Sequence, residues 1–221
     1  GFRSIQATEQ LLTTLNARSN NKHAQFESRL SAHQVFPILR ELKQLRRVAR
    51  VSNRHSSFFV DARSGVDFSA LFVEQWNESL CGSTAARHLI ILRQQEAVLK
   101  SLPSQKNGLF LCENQPWEAA FAYAWHKYGH GKLTAVVHAP IRFWDFRYFT
   151  LARALRDNQE HATRKPTPSV VAVNSEISRS FMEIAQAPAD RILEVESLMF
   201  NHLIATSTAG AQKDILLIIG D

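Results

Sequence analysis

From residue 101 onward, short apolar runs alternate with helical patterns, and this alternation constrains the fold more than any other feature. Runs typical of strands occupy residues 109–112, 133–137, 170–173, 192–195 and 215–219. Helical patterns separate most of these runs, and strands that alternate with helices predict a parallel sheet. We therefore expect an α/β fold with a Rossmann-like parallel sheet of the doubly wound kind, flanked by helices.

The chain divides by composition into three parts. Residues 1–56 are polar and carry leucines at helical spacing, which predicts a helical N-terminal extension. Residues 57–212 hold the predicted Rossmann-like domain. The apolar run near the end is followed by Gly-Asp, a pattern typical of a strand that leads into a turn. We expect 213–221 to be the first strand of a further C-terminal domain, and the chain to be part of a longer protein.

Composition excludes several classes of protein. With 45% hydrophobic and 21% charged residues, the chain of 221 residues can form a core and is not disordered throughout. Two cysteines, Cys81 and Cys112, exclude a disulfide scaffold or a four-cysteine zinc site, and we expect both to be buried. No apolar run approaches the roughly 20 residues of a membrane span, and no signal-peptide pattern is present. A cytoplasmic location is the expectation.

The net charge of +6 indicates an anionic partner, which can be nucleic acid, a phosphorylated ligand or a membrane surface. Much of the positive charge falls in residues 37–54, where the spacing predicts a basic amphipathic helix. Its basic residues are Arg40, Lys43, Arg46, Arg47, Arg50 and Arg54. A solvated helix face is the commoner interpretation of such a pattern, and contact with an anionic membrane or with nucleic acid is the alternative.

Parallel sheets of this kind bind ligands at the carboxyl ends of their strands. The residues at or just after the predicted strand ends are polar and titratable, and we expect them to lie along one edge of the sheet. They are Glu113, His138, Asn174, Glu196 and Asp221. Such a set is typical of a catalytic edge.

Two of these residues are candidates for acid–base chemistry. Glu113 could accept a proton from a bound hydroxyl group. It could equally be an acid that stabilises the N-terminus of the helix that starts at Pro116. His138 could act as an acid or base, or bind a sugar hydroxyl or an anionic group. The alternative for His138 is a half-buried ring that donates to a backbone carbonyl.

The aromatic segment 142–149 is a candidate binding loop. Arg142 and Arg147 could bind a phosphate, and the aromatic residues between them could stack on a sugar ring. The alternative is an apolar loop that covers the sheet edge, but Trp144 and Asp145 are harder to explain as core residues.

Two histidines at i and i+4, His126 and His130, have a spacing found in metal sites. Gly129 ends the helix before His130, and no third ligand follows, so we interpret both as histidines near a helix C-terminus. The sequence contains neither a glycine-rich phosphate loop nor a serine nucleophile elbow.

The block 109–149 reads LFLCENQPWEAAFAYAWHKYGHGKLTAVVHAPIRFWDFRYF. It resembles a bacterial family of surface carbohydrate biosynthesis proteins, which act on exopolysaccharide or O-antigen and are regarded as glycosyltransferases. The stretches Val171–Asn174 and Ala189–Glu196 also resemble this family, and the likeness extends over 65–221. It is similar to the end of the N-terminal half of GT-B glycosyltransferases.

The resemblance implies a cytoplasmic transferase that moves a sugar from a nucleotide-sugar donor onto a glycan or lipid-linked glycan acceptor. Such an enzyme could also lie at the surface of the inner membrane. The acceptor would bind to this part of the protein, and the donor to a C-terminal domain. By resemblance, Glu113 is the candidate base, and His138 and Arg142 lie on the acceptor or phosphate side. GT-B enzymes in general need no metal or other cofactor, since the nucleotide sugar is a substrate.

Two other functions stay open. A non-catalytic carbohydrate-assembly or scaffold protein could keep the same fold without the chemistry. A nucleic-acid-binding module could use the basic helix, but no nucleic-acid motif accompanies that helix, and we expect no nucleic-acid partner.

Overall fold

The structure is a computed structural model with seven α-helices and four β-strands in its described part. It describes residues 2–18, 23, 32–52, 59–137, 139, 141, 145–157 and 165–196. The helices are α1 Phe2–Arg18, α2 Ala32–Ser52, α3 Ser69–Cys81, α4 Ser83–Ser101, α5 Pro116–Lys127, α6 Arg147–Asp157 and α7 Glu176–Ile184. The strands are β1 Asn107–Cys112, β2 Lys132–Val137, β3 Val170–Val173 and β4 Ile192–Glu194.

The described residues group into two compact units that interleave along the chain. The helical unit comprises residues up to 108 together with 115–133, and the sheet unit comprises 109–114 and the residues from 134 onward. The predicted domain boundaries at 56/57 and 212/213 lie outside the described residues and stay predictions.

The four strands form one parallel sheet in the order β1-β2-β3-β4, flanked by helices. Ala135 on β2 is in register with Val171 on β3, and Val171 is in register with Ile192 on β4. The predicted α/β fold with a parallel sheet is therefore confirmed. Among the described strands the order follows the sequence without a reversal, so these strands contain no switch point of a doubly wound sheet. Strand–helix alternation specifies parallel pairing, but it does not specify strand order.

The core of the sheet unit is almost entirely apolar. Alternate residues of the strands pack against one face of α6 and of α7, and these two helices also contact each other. The fully buried side chains include Leu155 on α6, Met182 on α7 and Val171 on β3. Cys112 is buried in this core, as the sequence predicts, whereas Cys81 in the helical unit is only partly buried. Burial of this apolar area stabilises the sheet unit.

The helical unit is built by packing of α2, α3, α4 and α5. The Glu96 carboxylate on α4 is buried, and partly exposed charged side chains from three helices form ion pairs around it. Arg93 on α4 forms ion pairs with Glu41 on α2 and with Glu96 on its own helix. Lys127 on α5 also binds Glu96, at 2.6 Å. These residues form the ion cluster, which joins α2, α4 and α5.

The junction of α3 and α4 lies at Gly82. Glu78 on α3 accepts hydrogen bonds from the Ser83 hydroxyl at 2.8 Å and from the Thr84 N–H at 2.9 Å, so it caps the N-terminus of α4. A Cβ atom on residue 82 would lie 1.8 Å from Glu78 Oε2. Glycine therefore allows the cap to close.

The helix α5 begins at Pro116, as the sequence predicts. Gln115 and Glu118 form a reciprocal capping box, in which the Gln115 N–H donates to the Glu118 carboxylate at 2.9 Å. After the helix, Gly129 has φ of 71°, a left-handed conformation that glycine adopts without strain.

Candidate functional site

The carboxyl ends of the strands place three of the predicted residues on one edge of the sheet. Glu113 follows β1 and is exposed, Asn174 follows β3 and is half-buried, and Glu196 lies two residues beyond β4 and is exposed. The ends of β1 and β4 are three strand spacings apart, about 14 Å. Glu113 and Glu196 therefore follow strands at opposite sides of the described sheet.

The segment next to Glu113 is held by an arginine at the start of α6. Arg147 forms a two-point ion pair with Asp145, from Nε at 2.8 Å and from Nη2 at 2.7 Å. Its Nη1 donates to the backbone carbonyl of Glu113 at 3.2 Å. The neighbouring Tyr148 hydroxyl donates to the carbonyl of Cys112 at 3.3 Å. Two side chains of α6 thus fix the backbone at the end of β1.

The guanidinium group of Arg147 is largely occupied by its ion pair with Asp145. The hydrogen bonds to Asp145, and then the negative charge of that carboxylate, raise the pKa of the Arg147 guanidinium above its ordinary value. Because Asp145 occupies both Nε and Nη2, the geometry favours a positioning role for Arg147 over the predicted phosphate contact. Asp145, predicted as a substrate-binding residue, is in the same way the ion-pair partner of Arg147.

Asn114, directly after Glu113, has an unusual backbone conformation and an unusual side chain. Its φ is 57°, in the left-handed region that few residues other than glycine adopt and that asparagine tolerates best. Its side-chain Nδ2 is buried and meets no acceptor within the described part of the chain. A buried donor without an acceptor is costly, so a ligand oxygen that accepted from Nδ2 would recover free energy.

A second group of hydrogen bonds surrounds the end of β3. The Ser178 hydroxyl donates to Asn174 Oδ1 at 3.3 Å and accepts from the N–H of Ile141 at 3.4 Å. Ser175 caps α7 by accepting from the N–H of Ser178 at 3.2 Å. The amide oxygen of Asn174 therefore supports the start of α7 and the loop that follows β2.

Several predicted residues lie outside the described part of the chain. They are His138, Arg142, Trp144, Asp221 and the predicted strand 215–219. Their predicted roles stay predictions. His138 nevertheless follows β2 directly in the sequence, and β2 is the neighbour of β1 in the sheet.

Buried His130 is used by the fold of the helical unit. Its Nδ1 accepts from the N–H of Gln105 at 3.1 Å, so the other ring nitrogen carries the proton and donates to the Leu99 carbonyl at 3.1 Å. Both nitrogens are engaged, which matches the interpretation of this histidine as structural. Within the described ranges, no group of three or more His, Cys, Asp or Glu residues is placed to hold a metal ion.

Sequence reasoning missed Asn114 and Tyr148 as parts of this site. An Asn followed by Gln-Pro immediately after a strand is a turn signal that could have indicated a left-handed residue at 114. The Tyr148 contact spans 36 residues of sequence, and no local pattern carries it.

Comparison with known proteins adds no relative, because no family model, no curated protein and no solved structure matches the chain.

Proposed function

We propose that the sheet unit is the acceptor-side part of a bacterial, cytoplasmic glycosyltransferase that builds surface polysaccharide. The enzyme would move a sugar from a nucleotide-sugar donor to a glycan or lipid-linked glycan acceptor. The observation that carries this proposal is the edge of the sheet at β1, where an exposed Glu113 is held on a fixed backbone beside Asn114. The resemblance of residues 109–149 to surface carbohydrate biosynthesis proteins supplies the type of reaction.

Glu113 is the proposed general base. As the acceptor hydroxyl oxygen forms its bond to the anomeric carbon of the donor, the Glu113 carboxylate takes the hydroxyl proton, and the nucleotide leaves with the bonding electrons of the broken C–O bond. General-base catalysis requires a carboxylate at a fixed position. The hydrogen bond from Arg147 to the Glu113 backbone carbonyl supports that position.

Asn114 is the proposed contact to an acceptor oxygen. Its buried Nδ2 is adjacent in sequence to the proposed base, and its left-handed backbone is the kind of strain that functional sites retain. We further propose that His138 and Arg142 bind the acceptor or phosphate side, that Trp144 stacks on a sugar ring, and that Glu196 and Asn174 line the same edge. The donor would bind to the domain predicted to begin at 213, and no resident cofactor is part of this proposal.

The test is a transfer assay on the complete gene product with a panel of nucleotide sugars and acceptor oligosaccharides. We expect Glu113→Gln to lower kcat by about a hundredfold or more, because the variant keeps the shape of the side chain and loses the base. Glu194→Gln, which removes an exposed carboxylate inside β4, is the matched control and should retain activity.

The kinetic constants KM and kcat distinguish the proposed role of Asn114 from that of Glu113. Asn114→Gly preserves the left-handed backbone and removes the Nδ2 donor, so it should raise KM for the acceptor more than it lowers kcat. If Glu113→Gln transfers sugar at the rate of the unaltered enzyme, Glu113 is a helix-capping acid and not a base. If the complete protein binds acceptor but transfers from no donor, the non-catalytic assembly function replaces this proposal.

A further inference from the structure

The helix α2 has two faces of different chemistry. Its inward face carries buried Ile38 and Ala49 together with Glu41, and this face packs against α3 and α4. Glu41, the one acidic residue in the α2 sequence, is bound there by Arg93. The acidic charge of the helix is thus turned inward and neutralised.

The opposite face is basic and exposed. Residues at intervals of three or four along α2 place these side chains in one stripe, about 180° from the packed face. The stripe, called here the α2 outer face, consists of Phe36, Leu39, Arg40, Lys43, Arg47 and Arg50, all of them exposed. None of its four basic residues forms an ion pair with another described residue.

Arg46 provides a contrast on the same helix. It lies off the stripe and donates from Nε and Nη2 to the carbonyl of Cys81 at the end of α3, at 3.4 Å each. Arg46 thus contributes to the fold through an identified acceptor, the Cys81 carbonyl. The cations of the α2 outer face have no such partner among the described residues.

Two apolar side chains lie within this basic stripe. Phe36 is 76% exposed and Leu39 is 57% exposed. A helix that presents apolar groups among cations fits the boundary of a bilayer, where acyl chains take the apolar groups and anionic headgroups take the charge. A nucleic-acid backbone would match the cations but would leave Phe36 and Leu39 without apolar partners. A two-fold contact with a second copy would bring like charges together.

We propose that the α2 outer face docks the protein on an anionic lipid surface. Docking of this kind is reversible, since α2 would lie in the plane of the interface. Within the described residues, no helix is both long and apolar enough to cross a bilayer. The proposal does not depend on sugar transfer, and its test measures binding alone.

The test is flotation of the 221-residue chain with vesicles of phosphatidylglycerol and phosphatidylcholine, compared with vesicles of phosphatidylcholine alone. We expect binding to the anionic vesicles that weakens strongly between low and high salt, because salt screens the headgroup charge. Replacement of Arg40, Lys43, Arg47 and Arg50 by alanine should reduce vesicle affinity about a thousandfold. Phe36→Ser should reduce it about tenfold and leave the salt dependence nearly unchanged.

The matched control removes the same number of exposed cations elsewhere in the helical unit: Arg63, Arg87, Lys100 and Lys132, each replaced by alanine. This control should retain vesicle affinity within about threefold. If the quadruple α2 variant fails to fold by circular dichroism, the single reversal Arg47→Glu serves in its place and should lower affinity about tenfold or more.

Three results would overturn the proposal. The first is equal binding to both kinds of vesicle. The second is an equal loss of affinity in the control and in the α2 variant, which would indicate a general charge effect. The third is displacement from vesicles by random-sequence duplex DNA together with no effect of Phe36→Ser, which would identify a polyanion-binding face instead.

Discussion

The helical unit and the sheet unit are stabilised in different ways. The helical unit buries charged and polar groups and pairs them with one another, as in the ion cluster around Glu96 and the two hydrogen bonds of His130. The core of the sheet unit is apolar around Leu155, Val171 and Met182. In that unit, two of the charged residues that the sequence analysis names, Glu113 and Glu196, are exposed and follow strands.

This difference separates structural polar residues from candidate functional ones. A buried polar group whose hydrogen-bonding atoms are engaged by the fold has nothing left to offer a ligand, and this applies to His130. A polar group at the carboxyl end of a parallel strand is exposed for a geometric reason, and this applies to Glu113. Burial, more than residue type, distinguishes His130 from Glu113.

The strongest test of the comparison removes the centre of the ion cluster. Arg93→Ala leaves Glu41 without its ion-pair partner and leaves buried Glu96 with Lys127 alone, so we expect a loss of about 3 kcal/mol in the free energy of unfolding. Urea titration followed by circular dichroism measures this loss. The control is Arg179→Ala in the exposed pair with Glu183 on α7, which should cost about 0.5 kcal/mol or less. An equal loss of unfolding free energy in Arg93→Ala and Arg179→Ala would contradict the difference between the two units.

The second test compares His130 with His126, since the sequence pattern leads to the same interpretation for both. His130→Ala leaves the N–H of Gln105 and the carbonyl of Leu99 without their partner, which should cost about 2 kcal/mol. His126→Ala, an exposed position on α5, should cost about 0.5 kcal/mol or less. Thermal and urea unfolding of both variants would measure the difference. A larger loss at His126 would show that burial is a poor guide in this unit.

The smallest effect concerns an exposed polar contact within the helical unit. The backbone hydrogen bond from Thr84, followed by that from the Ser83 hydroxyl, lowers the pKa of Glu78 below its ordinary value of 4.5. A carboxyl group with a lowered folded-state pKa stabilises the fold above its unfolded pKa, and that contribution is lost as the pH falls through the folded value. We therefore expect Glu78→Gln to be slightly less stable than the unaltered chain at pH 7, and the difference to vanish as the pH falls through the folded-state pKa of Glu78.

Urea titrations over this pH range would measure the Glu78 effect. Glu74→Gln on the same helix controls for the loss of one negative charge. If Glu74→Gln gave the same change with pH, the cap at the α3–α4 junction would not be its cause.

The sequence predicts local structure well in this chain, because local structure depends on neighbours. The strand predicted over 170–173 has the observed bounds, and the strand predicted over 133–137 is observed one residue longer. Proline at the start of α5 and glycine after its end are also local signals. The edge position of Glu113 followed from the same periodicity.

Other features depend on contacts between distant residues and could not be predicted from patterns. Arg93 and Glu41 are 52 residues apart, and Arg147 is 34 residues from the carbonyl that it binds. The sequence alone does not distinguish an arginine that binds a carboxylate of its own chain from one that binds a phosphate. The sequence therefore made Arg147 a candidate phosphate ligand, whereas its ion pair with Asp145 favours a positioning role.

The interleaving of the two units has a consequence for synthesis of the chain on the ribosome. The polypeptide passes from one unit to the other after residues 108, 114 and 133. The nascent helical unit cannot be completed when its first 108 residues have emerged, because α5, with Lys127, is translated only after β1. A stop codon between residues 108 and 127 would release an incomplete helical unit and leave Glu96 without Lys127. The helical unit can therefore be completed once residue 133 has emerged, whereas β1 must wait for the residues from 134 onward before the sheet unit can form.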